Sequence, residues 1–166
     1  MAEKWSRADR INLVVASIAI LSVLITYGLR FWNYIHRPQV QITSPHDGAS
    51  ARDNTIGAKG TAGNIPPSDD LWFVVRSGIE GRWYPVTNLV LKNGHWSVGR
   101  RLICPASGAQ DFEVFLVSDT SQAQLHQYLR KSQHLRTPPG LDSMPAGAVL
   151  KAVSHITVPR SGRQGC

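Results

Sequence analysis

The chain has 166 residues, 42% of them hydrophobic, with 18 Lys/Arg against 11 Asp/Glu and a formal net charge of +7. Residues 1–37 hold Lys4, Arg7, Arg10, Arg30 and Arg37 against Glu3 and Asp9, a net +3; residues 38–166 hold thirteen Lys/Arg against nine Asp/Glu, a net +4. Apart from Arg100-Arg101 and Arg130-Lys131 these cations stand singly, without a basic stripe or interleaved stacking aromatics, which argues against a nucleic-acid binder.

The first ten residues are a short polar, basic tail. From Ile11 to Leu29 follow nineteen residues without a charge, INLVVASIAILSVLITYGL. At about 1.5 Å per residue, such a helix reaches roughly the 30 Å of a hydrocarbon core. Beyond it the apolar character fades through Phe31, Trp32, Tyr34 and Ile35, broken by Arg30 and Arg37. Aromatic rings and long basic side chains of this kind suit a headgroup interface. We therefore expect a transmembrane helix with its interfacial collar over 11–35, in contact with the lipid bilayer. Trp5, Arg10, Arg30, Trp32, Tyr34 and Arg37 are its interface anchors. The run is longer than a signal-peptide core and no small-x-small cleavage motif follows, so an uncleaved signal anchor is expected. Three Lys/Arg precede the span and two follow it, which favours a cytoplasmic N-terminus and an extracytoplasmic domain at the cell membrane.

From Pro38 the periodicity changes to two. PQVQITSP alternates at Val40 and Ile42 and stops at Pro45, and HDGASARDN is turn chemistry. TIGAKGTAG reads as a glycine-rich strand with close neighbours or a bulge. After the NIPPSDD loop, LWFVVRSG is dense in β-branched and aromatic residues, as a central buried strand is. Gly78–Gly81 turns it back into RWYPVTNLVL, where Pro85 marks an edge or a bulge. Asn93-Gly94 is a hairpin signal leading into HWSVGRRLI, with Trp96 and Val98 on one face. DFEVFLVSD alternates at Phe112, Val114 and Leu116. Asp119 to His134 changes to helical spacing, with Leu125, Tyr128 and Leu129 on one face and a Ser121/Gln124 capping box. That helix is expected over one end of a sandwich. RTPPGLDSMPAG is a loop pinned by Leu141 and Met144, LKAVSHITV is a closing strand, and 161–166 is a disordered tail. Seven to eight short strands with turns between them make the fold mainly β, a sandwich over 38–160.

The ordered elements ITSP-x-DG, GTAG, IPPSDDLWFVVR, RWYPV, NGHWSV, FEVFLVSD, GLDSMPAG and ITVPR resemble the small immunoglobulin-like sandwich domains of bacterial membrane proteins, especially actinobacterial ones. The resemblance covers about 40–160. It departs from the pattern after the Trp strand, where Val98-Gly99 and a basic Arg100-Arg101 replace an Ile-Gly. It implies an immunoglobulin-like fold beside a single transmembrane helix and carries over no catalytic residue.

Catalytic and metal constellations do not emerge from the residues. Six histidines (His36, His46, His95, His126, His134, His155) are scattered, with no HExxH or calcium-loop spacing. No GxSxG elbow is present, and Gly57, Gly60 and Gly63 lack the Lys-Ser/Thr and helix of a phosphate loop. Asp69-Asp70 reads as solvated loop ends or turn caps rather than a carboxylate pair. The two cysteines, Cys104 and Cys166, form neither a disulfide framework nor a four-ligand zinc site; they are either a single disulfide or two free thiols. We expect no enzyme, cofactor or metal. Trp72 and Trp96 are core. Trp83 and Tyr84 are adjacent on a strand and point to opposite faces. With Arg82 they form the candidate interaction surface. The expected function is display of a non-catalytic domain for a protein partner or the cell envelope. The alternatives are a membrane-anchored module sensing a glycan or small molecule, and an accessory subunit of a larger membrane complex.

Overall fold

Among the described residues eight strands and one helix are present: β1 (Gln39–Ser44), β2 (Ala49–Ser50), β3 (Thr55–Gly63), β4 (Asp69–Ser77), β5 (Trp83–Asn88), β6 (His95–Leu102), β7 (Gly108–Ser118), α1 (Asp119–Ser132) and β8 (Ala148–Val158). They come from a computed structural model that describes residues 37–50, 55–102, 108–135 and 138–158. The expected span, its anchors Trp5, Arg10, Arg30, Trp32 and Tyr34, both cysteines and the 161–166 tail lie outside those residues. Arg37 is described and exposed. Among the described residues no helix is long and apolar enough to cross a membrane.

The strands form a three-stranded sheet, β1-β3-β6, and a five-stranded sheet, β2-β8-β7-β4-β5. All pairings are antiparallel except β2 on β8. The mainly-β expectation with one helix therefore holds. β4 lies between β7 and β5 and is buried on both faces, as its dense apolar run requires. Its alternate residues feed two separate cores. Leu71, Phe73 and Val75 meet Ala58, Trp96, Val98, Phe112, Val114 and Ile156 between the sheets. Trp72 and Val74 point the other way and meet Phe115, Val117 and Leu125.

Close approach of β1, β3 and β6 depends on Gly60. A Cβ there would overlap the Gln41 carbonyl oxygen and the Trp96 ring. Trp96 fills that space, 3% exposed, and its Nε1 donates to the Thr61 carbonyl at 3.3 Å. The glycine-rich strand thus has the close neighbour its sequence implied, and a register shift between Ile56 and Ala58 as well.

Two local expectations are corrected. α1 packs on the outer face of the five-stranded sheet rather than over one end of the sandwich, because Leu125 and Leu129 bury against Trp72, Val74, Phe115 and Val117. The Ser121/Gln124 capping box does not form. Ser118 is the N-cap, without a side-chain cap, and Ser121 is buried inside the helix, its Oγ accepting from the Gly147 amide at 3.2 Å. The Asn93-Gly94 turn does form: both residues have positive φ (52° and 76°), and Lys92 and His95 exchange backbone hydrogen bonds of 2.8 and 3.0 Å across it. Yet the arms separate after that one pair, since the Leu89 amide is bonded to the Leu71 carbonyl at 2.7 Å and its side chain is buried between the sheets. β5 and β6 accordingly belong to different sheets. The 138–147 loop is pinned as expected, with Leu141 and Met144 against the outer core.

Candidate functional site

Arg82, Trp83 and Tyr84 stand at the start of β5, the last strand of the larger sheet. Strand alternation sends Trp83 to one face and Arg82 with Tyr84 to the other. Arg82 pairs with the exposed Asp142 at 3.2 Å. Tyr84 leans on the inter-sheet core and donates its hydroxyl to Glu80. Burial, followed by that carboxylate, pushes the phenol up to about 12. Gly140 lies against Arg82 and Tyr84 so closely that any side chain there would collide with both. Trp83 faces outward, half-buried beside the outer core, and its amide and carbonyl bond the Leu141 carbonyl and amide at 3.0 and 2.8 Å.

Around Trp83 the sheet register assembles a polar strip that the sequence does not reveal. Trp83 pairs with Arg76, Arg76 with Asp111, and Asp111 with His155. The Arg76 guanidinium lies over the Trp83 ring, 4.7 Å from its centroid. The indole Nε1 donates to Glu113 Oε2 at 2.9 Å. Glu113 is only 4% exposed, and burial raises its pKa above the usual 4.5, partly offset by the Trp83 hydrogen bond and Arg76. At the end of the strip His155 Nδ1 meets Asp111 Oδ1 at 2.7 Å, and this carboxylate raises the imidazole above 6.5. The His155 amide also donates to Asp47 Oδ1 at 2.7 Å, so the His46-Asp47 turn ties β8 to the β1–β2 corner.

The only sequence-level trace of this strip is the polar side of DFEVF, where Asp111 and Glu113 alternate with Phe112 and Val114. Asp69 and Asp70 do not face a common site: Asp69 accepts from Ser68, and Asp70 accepts from Asn88 Nδ2 at 2.7 Å. Among the described residues no three His, Cys, Asp or Glu side chains converge as metal ligands.

A second feature lies on the smaller sheet. Where the β5–β6 hairpin opens, an open groove of about 840 Å³ runs along β6. Lys59, Lys92 and His95 line it together with Ser97, Asn88 and Val90, and no Asp or Glu is among its lining residues. Val90 stands at its lip, 73% exposed.

Neither a protein-family model nor a curated protein matches the sequence.

Proposed function

We propose that the chain is a single-pass membrane protein that presents a non-catalytic immunoglobulin-like sandwich to a protein partner or the cell envelope, with a cytoplasmic N-terminus and the domain outside. The observation that carries the fold reading is the strand order. β1-β3-β6 against β8-β7-β4-β5 corresponds to strands A-B-E against G-F-C-C′ of an immunoglobulin sandwich, with helix α1 inserted between F and G. This agrees with the resemblance to membrane-anchored bacterial domains. The uncharged Ile11–Leu29 run and its Trp/Arg flanks support the anchor. Tethering would raise the domain's effective concentration against a membrane-bound partner, so modest contacts suffice.

A protein partner is favoured over a glycan at the Arg82–Tyr84 region. Sugar stacking needs an open aromatic face, and Trp83 has Arg76 on its ring and the outer core beside it. The test uses Cys166 as a native reporter in a Cys104→Ser chain. A membrane-impermeant maleimide is applied to intact cells after reduction, with reagent entry into any periplasm verified. Labelling of intact cells is the expected result; labelling only after lysis would put the domain in the cytosol and reverse the reading.

A further inference from the structure

We propose that the groove along β6 is a docking site for an acidic, extended segment of a partner protein, which adds to the smaller sheet as a strand beside β6. The inference rests on the reading of the domain as an interaction module. Two independent observations carry it.

The first is the backbone. Gly60 faces Trp96 and the Ala62 amide bonds the Gly94 carbonyl at 2.8 Å, which fixes the bonding phase of the β3–β6 ladder. In an antiparallel pair the bonded positions alternate, so Trp96 and Val98 spend their amides and carbonyls on β3 while His95 and Ser97 direct theirs away from it. His95 uses both on Lys92. At Ser97 the hairpin arm has already departed, and among the described residues nothing pairs with its outward N–H and C=O. An edge of this kind is a template for one more strand. It is also the side on which a constant-type immunoglobulin sheet places strand D next to E.

The second observation is charge. The groove beside that edge carries Lys59, Lys92 and His95 and no carboxylate, with exposed Val90 at its lip. Alternating acidic and apolar side chains on an added strand would meet the two lysines on one side and Val90 on the other. A second copy of this chain is a poor occupant, because residues 38–166 hold thirteen Lys/Arg against nine Asp/Glu. A lipid headgroup or a polyanion would satisfy the lysines but make no use of the outward amide and carbonyl of Ser97.

The test uses the full chain in a neutral detergent and a capped, fluorescein-labelled peptide of about eight residues alternating Glu with Val and Thr. Fluorescence anisotropy should show saturable binding. Lys59→Glu combined with Lys92→Glu should weaken it about tenfold or more, with far-UV circular dichroism showing that the variant is folded. N-methylation of the peptide amides along one edge should weaken it by a similar factor, which a diffuse ionic contact would not show. Absence of saturable binding would overturn the proposal, as would indifference to either change. Displacement by dioctanoyl phosphatidylglycerol at or below the peptide's own concentration would assign the groove to an anionic lipid instead. Because the assay uses solubilised protein, its failure leaves the membrane-side result untouched, and a reversed membrane side leaves peptide binding untouched.

Discussion

The two sheets end differently on the side where the β5–β6 connection passes between them. β5 closes the larger sheet with an edge covered at its start: Trp83 exchanges two backbone hydrogen bonds with Leu141, and Pro85, two residues on, has no N–H to present. β6 ends the smaller sheet with Ser97 directed outward beside a cationic groove. An exposed edge invites association, so native sheets cover it, charge it or use it. Here the start of one edge is covered by a loop tied down by an apolar cluster, and the other is left accessible beside two lysines. The asymmetry separates a structural boundary from a candidate contact surface.

Several variants break or sharpen that contrast. Gly60→Ala should have the largest effect, because the new methyl overlaps a backbone oxygen and the Trp96 ring and forces β1, β3 and β6 apart. Overpacking at a site with no free volume costs about 3 kcal/mol. Chemical denaturation should show a correspondingly lowered midpoint, with loss of any β6-edge binding.

Leu141→Pro should come next. It removes the amide that donates to the Trp83 carbonyl at 2.8 Å and disturbs a residue packed on the outer core. A loss of about 1–2 kcal/mol is expected. Because it uncovers the β5 edge, sedimentation velocity should also show new concentration-dependent association. The absence of both effects would mean that the loop does not seal the edge.

Glu113 offers a smaller, pH-dependent effect. Burial raises its folded pKa above the unfolded 4.5, so the folded state prefers the neutral acid. The stability from this group is complete below pH 4.5 and is lost as pH rises through the raised folded value. Glu113→Gln keeps an acceptor for the Trp83 indole and should flatten that decline in denaturation midpoints. The smallest effect is at His155, whose side chain is 61% exposed. Its raised pKa means that its pairing contribution is complete below pH 6.5 and fades as pH climbs through the folded value. Asp111→Asn should bring the imidazole titration, followed by NMR, back toward 6.5 with little change in stability.

Much of the architecture was legible because it depends on local periodicity. Phe112, Val114 and Leu116 mark the inner face of β7 by alternation, and Leu125 with Leu129 marks the buried side of α1 by helical spacing. Asn93-Gly94 specified its turn because two consecutive positive φ values suit that dipeptide. The same turn could not specify its partners. Whether the arms stay paired was decided by Leu89 bonding to β4 and Trp96 packing on Gly60, both long-range contacts. The Arg76–Trp83–Glu113 and Asp111–His155 contacts were hidden for the same reason, since four strands must be in register before they exist. The capping box failed because the helix begins at Asp119 behind the N-cap Ser118, which leaves Ser121 inside it, where its Oγ accepts from the Gly147 amide. Lys59 and Lys92 were unremarkable single charges in sequence until the fold lined one groove with both.

The central claim, one covered edge and one open edge, is tested most directly by native-state amide hydrogen exchange on the full chain in neutral detergent, resolved by residue. The account predicts slow exchange at Trp83, Leu141 and Trp96 and exchange at Ser97 faster by about a hundredfold or more, as for an unpaired exposed amide. Protection at Ser97 equal to that at Trp96 would mean that the β6 edge is already occupied, and would contradict the account.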